Sequence, residues 1–305
     1  MQFSVLVVPG FRGWIIATLC AALLTLLSGC SALRIGYGTA PDLAYWWFDR
    51  YVDFRGDQTP RVRAALAQWF SWHRRTQLPD YAALLARMRA EAPSDTTPAR
   101  VCEWQGELMR LIDTAYDRAN PAIAEIVATL TPDQIVQIER RQSKVNEDFR
   151  DDYLQSDRAK RAAATLKRTV ERAEMVYGKL DAAQRDRMAA ALARSPFDPD
   201  AWDAERRARQ QDVRQLLAKL LRDKPAPAQA QAELRAYVDR IERSPHEPYR
   251  RYTERLNEFN CAFIATLHNG TSAEQRRHAV KTLAGWEDDL NALTKATPAP
   301  SEAAN

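Results

Sequence analysis

The sequence predicts an all-α protein, a single antiparallel bundle of about ten helices, and three observations predict it. Only ten glycines occur in 305 residues. Ala, Leu, Arg, Glu, Asp and Gln dominate while Val/Ile runs are absent, the composition of helices rather than sheets. Apolar residues recur at steps of three and four, no stretch alternates with period two, and helices packed antiparallel are the simplest way to bury such stripes.

Before the first helix, Arg12 is the only charge ahead of Leu27-Ser28-Gly29-Cys30. The apolar run from Ile15 to Leu27 is too short to span a bilayer comfortably, so residues 1–29 read as a signal peptide. Leu27 to Cys30 resembles a bacterial lipobox. That resemblance implies a diacylglycerol on the Cys30 thiol, cleavage before Cys30 and acylation of the new amine, and two or three chains hold a protein at a membrane essentially permanently. Ser31 resembles the second residue of lipoproteins sorted to the outer membrane, so the expected location is its periplasmic face. An ordinary secretory signal followed by an accidental cysteine is the alternative. Residues 30–40 form a short lipidated tether, 41–294 the helical domain, and 295–305 a Pro- and Ala-rich tail expected to be disordered.

Removing residues 1–29 leaves 276, enough for a substantial core. The remaining chain carries 43 basic and 40 acidic residues, interleaved rather than in blocks. This is a solvated helical surface and not a nucleic-acid footprint. Cys20 leaves with the signal and Cys30 is lipidated, so Cys102 and Cys261 remain as a pair in an oxidising compartment and are expected to be bonded. Two buried free thiols are the alternative. His73, His246, His268 and His278 are scattered without a ligand spacing, so neither a metal site nor a cofactor is expected. His73 reads as a core histidine donating to a carbonyl. No nucleophile elbow, P-loop or dinucleotide fingerprint occurs, and no catalytic residue is assigned.

Along the chain, Asp42 to Phe54 is an unusually aromatic helix. Leu43, Trp47, Tyr51 and Phe54 make its simplest core stripe, while Trp46, Trp47 and Phe48 are the candidates for contact with lipid headgroups or a partner. A second helix opens at Thr59-Pro60, buries Val62, Leu66, Trp69, Trp72 and His73, and ends at Leu78-Pro79. A third covers Asp80 to Arg89. The fourth turns Val101, Trp104, Leu108, Leu111 and Ile112 inward with Cys102 on its flank.

Ile135, Ile138, Gln142, Val145 and Phe149 make the seam of an antiparallel pair, answered by a return helix carrying Leu166, Val170, Ala173, Tyr177 and Leu180. Pro196 and Pro199 precede a charged helix, Trp202 to Arg222, whose segment Glu205 to Gln210 is expected to face solvent. A shorter helix follows, packed through Leu234, Tyr237, Val238 and Ile241. Tyr249, Tyr252, Leu256, Phe259, Phe263 and Leu267 then make a clear stripe with Cys261 to its side. The last helix runs to about Leu293.

Leu130-Thr131-Pro132-Asp133-Gln134 recurs as Leu180-Asp181-Ala182-Ala183-Gln184 and, more loosely, as Thr271-Ser272-Ala273-Glu274-Gln275. As capping boxes, each glutamine reaches back to the N–H of the cap three residues earlier. The pattern also resembles the LTxxQ signature of small periplasmic helical chaperones and metal-stress sensors. Taken in order, the lipobox, Tyr51-Val52-Asp53, Trp72-His73-Arg74 and Leu78-Pro79-Asp80-Tyr81 resemble a proteobacterial lipoprotein family known only as a domain of unknown function, number 6279, from Cys30 to about Leu293. The resemblance implies a helical protein anchored at the outer membrane and brings no catalytic residues. The expected role is non-enzymatic binding of an envelope partner or envelope maintenance. The alternatives are a chaperone or stress buffer, and an enzyme acting on envelope polymers through paired acids.

Overall fold

The computed structural model describes residues 36–154 and 157–295. Among them are eleven complete α-helices and no strand: α1 (Ala40–Val52), α2 (Gln58–Trp72), α3 (Leu78–Glu91), α4 (Pro98–Val127), α5 (Pro132–Tyr153), α6 (Arg158–Tyr177), α7 (Ala182–Leu192), α8 (Pro199–Asp223), α9 (Pro227–Glu242), α10 (Glu247–Asn269) and α11 (Ala273–Lys295). The all-α bundle expected from the composition is therefore present. The signal peptide, Cys30 and the tail beyond residue 295 lie outside the described residues.

The spine is α4. Thr97 caps it by accepting the Arg100 N–H at 3.2 Å, and its thirty residues span about 45 Å. It packs against α2, α3, α8, α9 and α10. Pro121 inside it removes one N–H and so frees the Asp117 carbonyl, yet the helix continues. One apolar cluster joins α4, α5, α8 and α9 around Val127, Ile138, Leu217, Leu220 and Leu234. A second, around Val170, Leu180 and Met188, joins α6 and α7 to Phe263 and Leu267 of α10. Between them Val101, Cys261 and Ala265 pack with Cys102 and Trp104. Cys102 and Cys261 are bonded, 159 residues apart, and the bond joins α4 to α10. The disulfide and all three clusters lie within residues 36–295, so a chain starting at Ser31 keeps what holds the fold together.

Two reciprocal glutamine pairs set the helix starts. Gln134 Oε1 accepts from the Thr131 N–H at 3.0 Å and from Gln58 Nε2 at 3.1 Å, while Gln134 Nε2 donates to Gln58 Oε1 at 2.8 Å and to the Asp53 carbonyl at 3.0 Å. Gln58 repeats the geometry, accepting from the Arg55 N–H at 3.0 Å and donating to the Thr129 carbonyl at 2.7 Å. Gln184 and Gln275 form the same arrangement at 2.7 and 2.9 Å, each bonded to its own cap N–H and to a carbonyl beside the other helix start. The recurring glutamines are thus capping boxes, as the spacing indicates. They also pair, and the fourth member, Gln58 in Arg55-Gly56-Asp57-Gln58, does not stand out in the sequence. Gly56 there sits at φ +54°, a conformation glycine adopts without strain.

Several sequence expectations are corrected. Leu43 and Trp47 are not core residues: the inward face of α1 is Ala44, Tyr45 and Val52, with Phe48 at its rim, rotated by about 100° from the stripe drawn through them. Tyr45 is buried because its hydroxyl reaches Thr59 Oγ1 at 3.2 Å and the Arg63 guanidinium covers its ring at 3.8 Å. Leu78-Pro79 does not end the second helix, since a π-helical turn, His73–Gln77, runs α2 directly into α3 with Pro79 in the first turn, where its missing N–H costs nothing. Leu108 and Ile112 are exposed. The seam of α5 is as expected, but α8 and α1 fill it rather than α6. Phe149 stacks on Trp202 at 4.9 Å, and Asn146 and Gln210 exchange two amide hydrogen bonds at 2.8 and 3.0 Å. Glu205 is buried, not solvent-facing, because Arg209 and His246 close over it, and Asp203 ahead of it is buried under Arg206 and Arg207. The stretch 36–39 is not free tether, since the ring of Tyr37 lies 5.7 Å from that of Phe70.

Two stability outcomes are expected. Replacing either Cys102 or Cys261 by Ser should lower unfolding free energy by up to about 5 kcal/mol, the chain-entropy figure for so long a loop. The two variants should match each other and the reduced protein in urea titration. Gln134→Ala should cost about 2–4 kcal/mol, because it strands the Thr131 N–H, the Asp53 carbonyl and the Gln58 amide together. The exposed Gln229→Ala should stay within about 0.5 kcal/mol in the same titration.

Candidate binding surface

Helix α1 turns its large side chains outward. Leu43 is 57 % exposed, Trp46 58 %, Trp47 53 % and Phe48 42 %. Few soluble surfaces carry such a row without using it. The rings support one another: Trp47 lies 5.0 Å from Phe48 and 4.8 Å from Tyr51, and the Arg50 guanidinium sits 4.8 Å over Trp46. All three aromatic residues singled out from the sequence are therefore on the surface. Phe48 alone also borders the feature described next.

Beneath α1, and between α2 and α4, lies an apolar cleft of about 670 Å³. Its cause is side-chain size. Ala115, Ala119 and Ala122 line one face of α4, Ala65 and Ala44 stand opposite on α2 and α1, and the helices cannot close the gap that these short side chains leave. Val127, Ile138 and Leu217 of the core form its floor, and Phe54 and Leu130 border the end held by the Gln58–Gln134 pair. The other end is set by Trp69, whose indole N–H donates to the Ala115 carbonyl at 2.9 Å and is thereby used up. Only two charged residues line the cleft, Arg118 and Glu125. Sequence reasoning missed this cleft. Its available signal was the alanine spacing of four and three on α4, which reads equally well as helix propensity.

Next to the cleft stands an aromatic and histidine cluster at the π-helical turn. The Tyr37 hydroxyl and His73 Nδ1 share a hydrogen bond at 2.8 Å, and the His73 ring stacks on Trp69 at 4.7 Å and lies 5.7 Å from Tyr81. His73 is a half-buried histidine, as expected, but its Nδ1 bonds a phenol rather than a carbonyl. Burial lowers its pKa, and burial raises that of Tyr37 to about 12. His268 is the histidine that donates to a carbonyl: Nε2 lies 2.8 Å from the Ser94 carbonyl and Nδ1 accepts from Tyr177 at 2.9 Å.

A smaller cleft of about 310 Å³ between α8 and α9 is lined by two acids, Glu205 and Asp212. His246 Nδ1 lies 3.0 Å from Glu205 Oε2, and Arg209 bonds Glu205 at 3.1 Å. Arg240 clamps Asp212 at 2.8 and 2.9 Å. Burial alone would raise the Glu205 pKa, but hydrogen bonds from Ser244, His246 and Arg209 hold it below the ordinary value. A carboxyl held ionised is the opposite of what a general acid needs, and no hydroxyl or thiol lines the cleft. Among the described residues no group of three His, Cys, Asp or Glu is placed to hold a metal ion, and no helix is long and apolar enough to cross a membrane.

The depressed His73 pKa has a definite sign. The unfolded histidine takes up its proton near its ordinary value of about 6.5, the folded one only at lower pH. In that window the unfolded state binds more protons, so stability is lost as pH falls below about 6.5. Urea midpoints measured from about pH 7.5 to 5.5 should fall, and fall less steeply in His73→Phe.

Comparison with known proteins yields one family. The pattern of the Family of unknown function (DUF6279) matches residues 50–250. No curated protein and no solved structure matches the chain.

Proposed function

For a chain that belongs to this family of unknown function, we propose a membrane-anchored, non-enzymatic binding protein, held through lipid on Cys30 at the periplasmic face of an outer membrane. The observation that carries the reading is the exposed row Leu43, Trp46, Trp47 and Phe48 on the first complete helix after Cys30. Indole rings favour the boundary between headgroups and acyl chains, where the apolar body is buried and the N–H stays wet. Arg50 stacked on Trp46 supplies a cation at the same level for anionic headgroups. Helix α1 then lies on the membrane, and the cleft beneath it opens beside the lipid.

The alternatives have less to stand on. An enzyme acting on envelope polymers needs a pair of acids with separated pKa values, and the two acids that line the cleft between α8 and α9, Glu205 and Asp212, are both clamped by arginine. A chaperone role shares the exposed aromatic face, but the glutamine repeat lends it nothing, because capping and pairing account for all four glutamines.

Soluble protein starting at Ser31 should co-sediment with vesicles containing anionic lipid. Trp46→Ala/Trp47→Ala should reduce that partition by roughly tenfold, from the lost apolar burial alone. Binding that is unchanged in the double variant would remove α1 as the contact. In cells, crosslinking from position 46 or 47 should report lipid-proximal neighbours, and specific protein bands there would mean that the face meets a protein instead.

A further inference from the structure

We infer that the cleft between α1, α2 and α4 takes one anionic aliphatic chain, a long-chain fatty acid, with the carboxylate at Arg118 and the tail running toward Ile138 and Leu217. The inference deepens the binding reading above and rests on it.

The cleft dictates most of the ligand. A volume of about 670 Å³ falls in the range of small-molecule sites. Its walls are mostly apolar, and its helices satisfy their own backbone groups apart from the Asp117 carbonyl that Pro121 frees. The Trp69 N–H is spent on the Ala115 carbonyl. Whatever enters finds few hydrogen-bond partners along its length, so a polar or peptide-like ligand would lose its hydration without return. Between Ala115 and Val127 the wall of α4 runs about 18 Å, close to the roughly 15 Å thickness of one hydrocarbon leaflet. A single acyl chain fits that length. A docking helix is a poorer fit, because α1, packed on α2 and α5, already lines the cleft through Ala44, Phe48 and Val52.

Charge sets the direction. Arg118 and Glu125 are the two charged residues lining the cleft, seven residues apart on α4 and so separated by about 10 Å along its axis. Among the described residues Arg118 has no carboxylate partner: its guanidinium lies 6.0 Å from the Trp72 ring, at the outer limit of a cation–π contact. An anionic head is drawn to Arg118 at the Trp69 end and repelled by Glu125. The tail then meets the apolar floor formed by Val127, Ile138 and Leu217. The opening adjoins the exposed face of α1 through Phe48, which belongs to both.

The test uses detergent-free protein starting at Ser31, a fluorescent fatty acid as probe, and laurate, myristate, palmitate and hexadecanol as competitors. Affinity should rise by roughly tenfold for each two added methylenes from laurate to palmitate. Arg118→Gln should weaken palmitate by roughly tenfold and leave hexadecanol unchanged. Ala119→Phe, which fills the trough, should abolish binding of both while circular dichroism and the urea midpoint report an intact fold. Absence of palmitate binding to folded protein, full binding in Ala119→Phe, or displacement of the probe by an amphipathic helical peptide but not by palmitate would each overturn the inference. An Arg118→Gln variant that binds palmitate as the native protein does would overturn the placement of the head. Trp46 and Trp47 do not line the cleft, so Trp46→Ala/Trp47→Ala should weaken vesicle binding and keep palmitate. The two readings therefore fail separately.

Discussion

Two buried amide pairs hold the helix starts of this bundle in place. A glutamine side chain has two donors and one acceptor oxygen with two lone pairs, and in Gln134 every one of them is used, at 1 % exposure. Each glutamine closes its own helix start and reaches into the turn that precedes its partner's helix, so neither turn is free to move without breaking the other. Because a buried polar group costs most when left unpaired, such a pair tolerates one geometry and penalises the rest. The Gln58–Gln134 pair fixes where α2 and α5 begin, and Gln184–Gln275 does the same for α7 and α11. The disulfide from α4 to α10 then ties the two ends of the chain together.

That frame decides the shape of the binding surface. With the turn between α1 and α2 pinned through the Asp53 carbonyl, α1 is held against α2 and α5, above the space that the alanines leave. The alanines on α4 leave that space, and Tyr45, pinned by Thr59 and Arg63, decides which face of α1 turns inward. The consequence is geometric. Trp46 and Trp47 are driven outward and Phe48 is left at the rim, so an exposed aromatic face and an apolar cleft share one helix.

How legible this was varied by feature. Helices with one narrow apolar face were readable from spacing alone: the stripes of α5, α6 and α8 bury Ile138, Val170, Leu216 and Leu220 as their periodicity indicates. Helix α1 was not, because apolar residues surround it and periodicity has no contrast to work with. Its inward face was chosen by a phenol finding a threonine. Partner choice was equally unreadable: the seam on α5 is correct, but it closes against α8, since a stripe records that a face is buried and not what covers it. The burial of Glu205 and Asp203 came from arginines one turn along their own helix, a pattern that on a solvent-facing helix looks the same.

The sequence by itself determined the all-α class, most helix limits, the capping boxes and the availability of Cys102 and Cys261 for bonding, because each of these depends on neighbours within a few residues or on composition. Tertiary structure alone decided that the capping glutamines pair, that a π-helical turn joins α2 to α3, and that alanines from three helices face a common void. The glutamine pairs depend on side chains that meet 76 and 91 residues apart, and the alanines face one another from separate helices. No local pattern encodes that meeting, since a capping box or an alanine stripe is equally stable whether or not a second one stands opposite it.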